Sequence, residues 1–174
     1  MSHLKPRVLV TAASRHESTR EIAEAIAAGL RERGVDAQML PVAEVSTLAG
    51  YDAVVLGSAV YMGRWLGEAR RFAQVHASPL CSLPTWLFSS GPLGPANQPI
   101  PPGEPADVPV LLRLTRAGGH RTFAGRLEMK RLHFAERAIV RTIHAPEGDS
   151  RDWEAIDSFA GEIADALLGA CIAA

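Results

Sequence analysis

Three stretches of this sequence carry residue types that can do chemistry. The first, Thr11-Ala-Ala-Ser-Arg-His-Glu-Ser-Thr-Arg20, sets the hydroxyls of Ser14, Ser18 and Thr19 directly before a helical pattern. Free amides at a helix N-terminus and the helix dipole favour an anion, and neighbouring hydroxyls add directional donors, so the stretch reads as a phosphate cradle. Ser18 with Glu21 also makes the S-x-x-E pattern of a capping box, in which the same groups satisfy one another and hold no ligand. On the residues alone both readings stay open. The second stretch, Gly57-Ser-Ala-Val-Tyr-Met-Gly63, ends an apolar run and sets Tyr61 and Met62, with Trp65 close behind, where they can flank a flat ligand. Trp65 fits core packing at the start of a helix equally well. The third, Ser89-Ser-Gly-Pro-Leu-Gly94, ends another apolar run. His16, His76, His120, His133 and His144 are scattered, without an i,i+4 pair or a neighbouring cysteine or carboxylate set, which predicts no metal site. There is no G-x-S-x-G elbow, P-loop lysine or Cys/His nucleophile pattern, so hydrolysis and phosphoryl transfer are disfavoured and a bound cofactor would have to supply the reactivity.

Strands and helices must alternate to bring these stretches together. Residues 7–11, 35–40, 52–58, 85–90 and 120–124 read as strands, the first and third as the continuous apolar runs of strands buried on both faces. Helices are predicted at 18–33, with Ile22, Ile26 and Leu30 on one stripe and Gly34 as its C′ residue, and at 65–77, 108–116, 132–143 and 152–168, the last capped by Asp149 or Ser150. The third strand is expected to stop at Gly57, and the proline- and glycine-rich residues 91–105 to form a long exposed loop. This alternation predicts one α/β domain over residues 1–174, a five-stranded parallel sheet in the order 2-1-3-4-5 with helices on both faces. Ligands bind such sheets outside the carboxyl ends of the strands, which is where residues 12–19, 57–64 and 89–94 fall.

Composition narrows the partners. The chain has 174 residues, 47% hydrophobic and 21% charged, with a net charge of -1, which argues against nucleic acid. Cys81 and Cys171 lack disulfide or metal spacing and read as reduced thiols; with no apolar leader and no membrane-spanning run, a cytoplasmic location is expected. Arg126, Arg131, Arg137 and Arg141 interleave with Leu132, Phe134, Ile139 and Ile143, an amphipathic pattern expected to pack on the core and, as a weaker reading, to touch a membrane or partner.

The first loop, the following Arg20-Glu-Ile-Ala23, the stretch from Gly57 to Gly63 and the order of elements resemble the flavodoxin domain over residues 7–167. The chain is similar in particular to the menaquinone-dependent protoporphyrinogen IX dehydrogenases and the flavodoxin-domain proteins related to them. That resemblance implies FMN, with its phosphate on Ser14, Arg15, His16, Ser18 and Thr19 and its ring between Ala59, Val60, Tyr61, Met62 and Gly63 on one side and Ser89, Ser90, Gly91, Pro92, Leu93 and Gly94 on the other, Tyr61 stacking. FMN is expected rather than FAD because a terminal phosphate suits the helix N-terminus and no G-x-G-x-x-G follows the first strand. It further implies an FMN-dependent oxidoreductase with a small organic substrate or quinone, and is compatible with a homodimer. Two alternatives stand beside it. One is an electron carrier, which an acidic face would favour and a net charge of -1 does not. The other is a flavin-free binding or regulatory module, because Glu17 stands where the family motif has glycine. A carboxylate there adds like charge beside a phosphate and places a side chain where positive φ is expected, so Glu17→Gly should tighten FMN binding by roughly tenfold or more.

Overall fold

The computed structural model describes residues 5–91, 104–128, 130, 133–142 and 148–173. Its centre is a parallel sheet of β1 (Arg7–Ala13), β2 (Asp36–Pro41), β3 (Ala53–Tyr61), β5 (Thr85–Ser90) and β6 (His120–Phe123), in the spatial order β2-β1-β3-β5-β6. Counted over the parallel strands alone, this is the expected 2-1-3-4-5 winding. A two-residue strand β4 (Arg64–Trp65) folds back antiparallel on the end of β3.

Strand faces alternate, and each face has its own helices. Val8, Val10, Val55 and Phe88 pack against Ile22, Ile26 and Leu30 of α1 (Ser18–Glu32) and against Ile156, Phe159 and Ile163 of α6 (Trp153–Ala173). Leu9, Val54, Leu56 and Leu87 pack on the other side with Phe72 of α2 (Gly67–Val75), Leu80 of α3 (Ala77–Ser82) and Leu111 of α4 (Val108–Thr115). Each large aliphatic side chain buried this way contributes about 1.5–3 kcal/mol. Gly34, at φ 88, turns the chain out of α1 as expected of a C′ glycine.

Several boundaries differ from expectation, for local reasons. β3 does not stop at Gly57, because the absent side chain there makes room for the Phe88 ring and the strand runs on to Tyr61. Trp65 is not helical: Val60 pairs with Trp65 and Tyr61 with Arg64, and the helix expected at 65–77 starts at Gly67 and ends at Val75, with α3 following His76. α6 is capped by Asp152, whose Oδ1 accepts the Ala155 amide at 2.9 Å, while Asp149 is held by Arg151. An unexpected second sheet pairs β7 (Arg126–Leu127) with β8 (Gly148–Asp149). The basic helix is α5 (Phe134–Thr142). Core packing fails for Phe134, which is 89% exposed, while Arg131, Leu132, Ile143 and His144 lie outside the described residues, as do residues 92–103 of the long loop. Among the described residues no helix is long and apolar enough to cross a membrane.

A Cβ built on Gly57 would fall 2.0 Å from the Phe88 ring. Gly57→Ala is therefore expected to destabilise the fold by about 1–3 kcal/mol through overpacking, measured as a lower urea midpoint; an unchanged midpoint would contradict the close packing.

Candidate functional site

The loops after β1, β3 and β5 converge because those strands are neighbours and end at one edge of the sheet. In the first loop the chain enters α1 through Glu17, which has φ 64 and ψ -24. This left-handed conformation costs a side-chain-bearing residue of the order of 1–2 kcal/mol. The Glu17 carboxylate turns to Arg20 at 3.0 Å, and Arg20 also holds Glu24 at 3.0 Å. The capping box does not form: Glu17 is the N-cap and makes no side-chain cap bond. Ser18, one residue inside the helix, instead accepts the Arg126 amide on Oγ at 3.0 Å. Glu21 reaches sideways to Arg126 at 3.1 Å and to the buried Arg151 guanidinium, so the β7-β8 sheet is fastened to the first turn of α1. Arg151 in turn grips Asp149, whose carboxyl is held down to about 2 by those hydrogen bonds.

Ser18 N-H donates to the His16 carbonyl at 2.8 Å and Glu21 N-H to that of Glu17 at 2.9 Å. That leaves the Thr19 and Arg20 amides as first-turn donors without an intrahelical acceptor. Ser14 Oγ, just ahead of them, is buried and has no hydrogen-bond partner. A hydroxyl left so is costly unless a ligand or water completes it, and its place beside helix-end amides suits a phosphate oxygen. Arg15 is exposed, with its guanidinium 4.9 Å from the centre of the Tyr61 ring.

The second loop is a tight hairpin. Met62 and Gly63, at φ 51 and 75, make its two-residue turn, which requires positive φ at both positions, and Met62 is 85% exposed at the tip. Ser58 Oγ donates to the Ala59 carbonyl at 2.8 Å and accepts the Leu66 amide at 3.0 Å, fixing the base of the turn. Asp107, at the start of α4, accepts the Trp65 amide at 3.0 Å and the Arg64 guanidinium at 2.8 Å, and Arg64 holds its carboxyl below the ordinary range. The Gly63 carbonyl takes the Ala106 amide at 3.0 Å.

The third loop leaves β5 at Ser89 and Ser90, both buried, and turns at Gly91, φ 82, whose amide donates to the Phe123 carbonyl at 3.0 Å. Pro92, Leu93 and Gly94 lie outside the described residues. Trp65 Nε1 is 2.7 Å from Ser89 Oγ, which is 2.7 Å from His120 Nε2. Indole N-H only donates, so the arrangement that spends the Ser89 proton within this chain has Ser89 donating to an unprotonated Nε2. His120 Nδ1 then carries the ring proton toward Glu104, 3.8 Å away. Burial lowers the His120 pKa to about 4; the half-exposed Glu104 carboxylate pulls the other way, screened by water. Hydroxyl, imidazole and carboxylate here follow the order of a nucleophile triad, but Ser89 is fully buried and receives the Trp65 N-H, so the chain acts as a brace.

The structure thus brings Ser14, Arg15, His16, Ser18 and Thr19 to one loop, Ala59, Val60, Tyr61, Met62 and Gly63 to the next, and Ser89, Ser90 and Gly91 to the third. Asp107, His120, Arg126 and Arg151 hold the loops in place through Arg64, Ser89 and Glu21, bonds that span 31 to 130 residues and that no local pattern in the sequence announces.

Fold and loops together define a flavodoxin-like α/β domain whose ligand mouth lies at the carboxyl ends of its parallel strands. A profile of the flavodoxin domain matches residues 9–154, and the chain belongs to that family. It is 27% identical over 171 residues to the protoporphyrinogen IX dehydrogenase [quinone] of Escherichia coli strain K12, covering 91% of this chain and 94% of that one. Among solved structures, an archaeal flavodoxin superposes with a TM-score of 0.59 at 15% identity, covering 92% of this chain and 98% of that one. The rubredoxin oxygen:oxidoreductase of Desulfovibrio gigas gives 0.64 at 16% identity, covering 95% of this chain and 37% of that one. At such identities the two structures speak for the fold alone.

Two outcomes follow from the geometry. Glu17→Gly should raise stability by roughly 1 kcal/mol, seen as a higher melting temperature without ligand. The strain it relieves is already present in the free protein, and Arg20 offsets the charge, so the gain in FMN affinity should stay below the tenfold expected from sequence; an unchanged melting temperature would show that position 17 is unstrained. For His120, the folded pKa near 4 lies below the unfolded value of about 6.5, so the unfolded chain binds more protons in between. Stability from this residue is full above pH 6.5 and is lost as pH falls toward 4, by up to ~3 kcal/mol. Unfolding titrations of wild type and His120→Gln across that window should show the slope in wild type only, and equal slopes would contradict it.

Proposed function

We propose that the chain binds FMN across these three loops and works as an oxidoreductase, moving electrons between a small organic substrate and a quinone. The observation that carries the reading is the buried, unpartnered Ser14 hydroxyl beside the amides at the start of α1. In this reading the hydroxyls of Ser14, Ser18 and Thr19, with Arg15 and His16, hold the phosphate. The hairpin residues Ala59 to Gly63 and the β5 end from Ser89 to Gly91 border the ring, with Tyr61 against it; Pro92, Leu93 and Gly94 complete that side on the family pattern. A terminal phosphate suits this cradle better than the internal pyrophosphate of FAD. The flavin supplies the electron transfer when bound. The chain orients it, keeps water from its buried side and leaves the side toward the Met62 tip open to a partner. The quinone is taken from the name of the E. coli relative, whose length the chain nearly spans.

The electron-carrier reading also fits, since flavodoxins are among the structural neighbours. It predicts one-electron exchange with a reductase and no turnover of an organic substrate, and the oxidoreductase reading predicts substrate-dependent reduction of a quinone. Titration of cofactor-free protein with FMN, followed by quenching of flavin fluorescence, tests the site. Ser14→Ala is expected to weaken binding about tenfold by removing one hydrogen bond to a charged group. Binding of FAD alone would refute the FMN assignment, and no flavin binding at all would leave the flavin-free module.

A further inference from the structure

Arg15 and Tyr61 come from different loops, yet the guanidinium lies over the ring, 4.9 Å from its centre. Both sit at the ends of adjacent strands, β1 and β3, paired through Ala13 and Ser58. One residue before Arg15, the Ser14 hydroxyl is buried without a partner and has a proton to give to an acceptor such as a phosphate oxygen. A guanidinium can stack on an aromatic face or bind a phosphate through paired hydrogen bonds, and one group cannot do both in two places. Where the side chain is exposed, as here, the stacked contact is the weaker of the two.

We propose that Arg15 is a specificity switch: it covers Tyr61 in the free protein, and a ligand phosphate at the α1 N-terminus draws it away, opening the aromatic face to the flat part of the same ligand. The inference rests on the FMN site proposed above. A flavin with a terminal phosphate replaces the contact it breaks. A flavin without one must displace Arg15 and receives nothing in return. Selectivity for the phosphorylated form then comes partly from a penalty on the wrong ligand, not only from an attraction to the right one.

The test compares wild type with Arg15→Gln, titrated with FMN and with riboflavin by flavin fluorescence. The variant is expected to bind FMN roughly tenfold more weakly and riboflavin roughly threefold more tightly, so that the preference for FMN falls about thirtyfold. Weaker FMN binding with unchanged riboflavin binding would mean that Arg15 only pairs with phosphate, and would overturn the switch while leaving the FMN site standing. So would equal changes for both ligands. If neither protein binds either flavin, the FMN site fails and the switch falls with it. A second measurement needs no flavin. The chain has two tyrosines, and Tyr51 lies under a different arginine, Arg7, at 5.1 Å, so it serves as an internal reference. With ring-labelled tyrosine, added inorganic phosphate should shift the Tyr61 NMR signal in wild type but not in Arg15→Gln, and should leave Tyr51 in place. A Tyr61 signal that ignores phosphate overturns the switch whatever the flavin affinities show.

Discussion

Parallel strands that are buried on both faces must return through crossovers, and that requirement makes every strand end at the same edge. Here it sets the ends of β1, β3 and β5 side by side, so three loops far apart in sequence share one mouth. Everything proposed for this protein depends on that edge. The helices beneath it do unequal work. α1 points its N-terminus at the mouth and offers amides, while α4 presents Asp107 to the hairpin that forms the other wall.

The polar groups around the mouth fall into two sets. Those that brace it are spent on one another: Asp107 on Arg64 and the Trp65 amide, Ser89 between Trp65 and His120, and Glu21 between Arg126 and Arg151. Such networks hold backbone positions tightly because breaking one partnership leaves a buried group unsatisfied. Ser14 Oγ is different, being buried without a partner, and it lies where the resemblance to flavodoxins places phosphate. A satisfied frame around an unsatisfied hydroxyl is the pattern of a binding site held open by its surroundings.

What could be read beforehand was whatever repeats locally. The stripe of Ile22, Ile26 and Leu30 announced α1, and the apolar runs of β1 and β3 announced the sheet, because burial on one or both faces leaves a period in the sequence. Glu17 stood out as a departure from the motif, and its φ of 64 agrees with the suspicion that glycine suits the position. The two-residue strands β4, β7 and β8 are too short to have a period, and Trp65 after Gly63-Arg64 looks like the opening of a helix. The capping box failed because Ser18 sits one position too far into the helix, and a long-range donor, the Arg126 amide, took its oxygen. Pairings such as Trp65 with Ser89 or Glu21 with Arg151 belong to the assembled fold and leave no mark on neighbouring residues.

The bonds at Gly91 and at Ala106 and Asp107 make two independent anchors for the walls of the mouth. On one side the Gly91 amide is tied to Phe123; on the other Ala106 is tied to Gly63 and Asp107 to Arg64 and Trp65. The two anchor points are thus fixed by the sheet and the hairpin, independently of how many residues join them. Each anchor therefore keeps its place without help from the other, so a change in the hairpin can alter one wall of the mouth while the turn at Gly91 stays tied to the sheet.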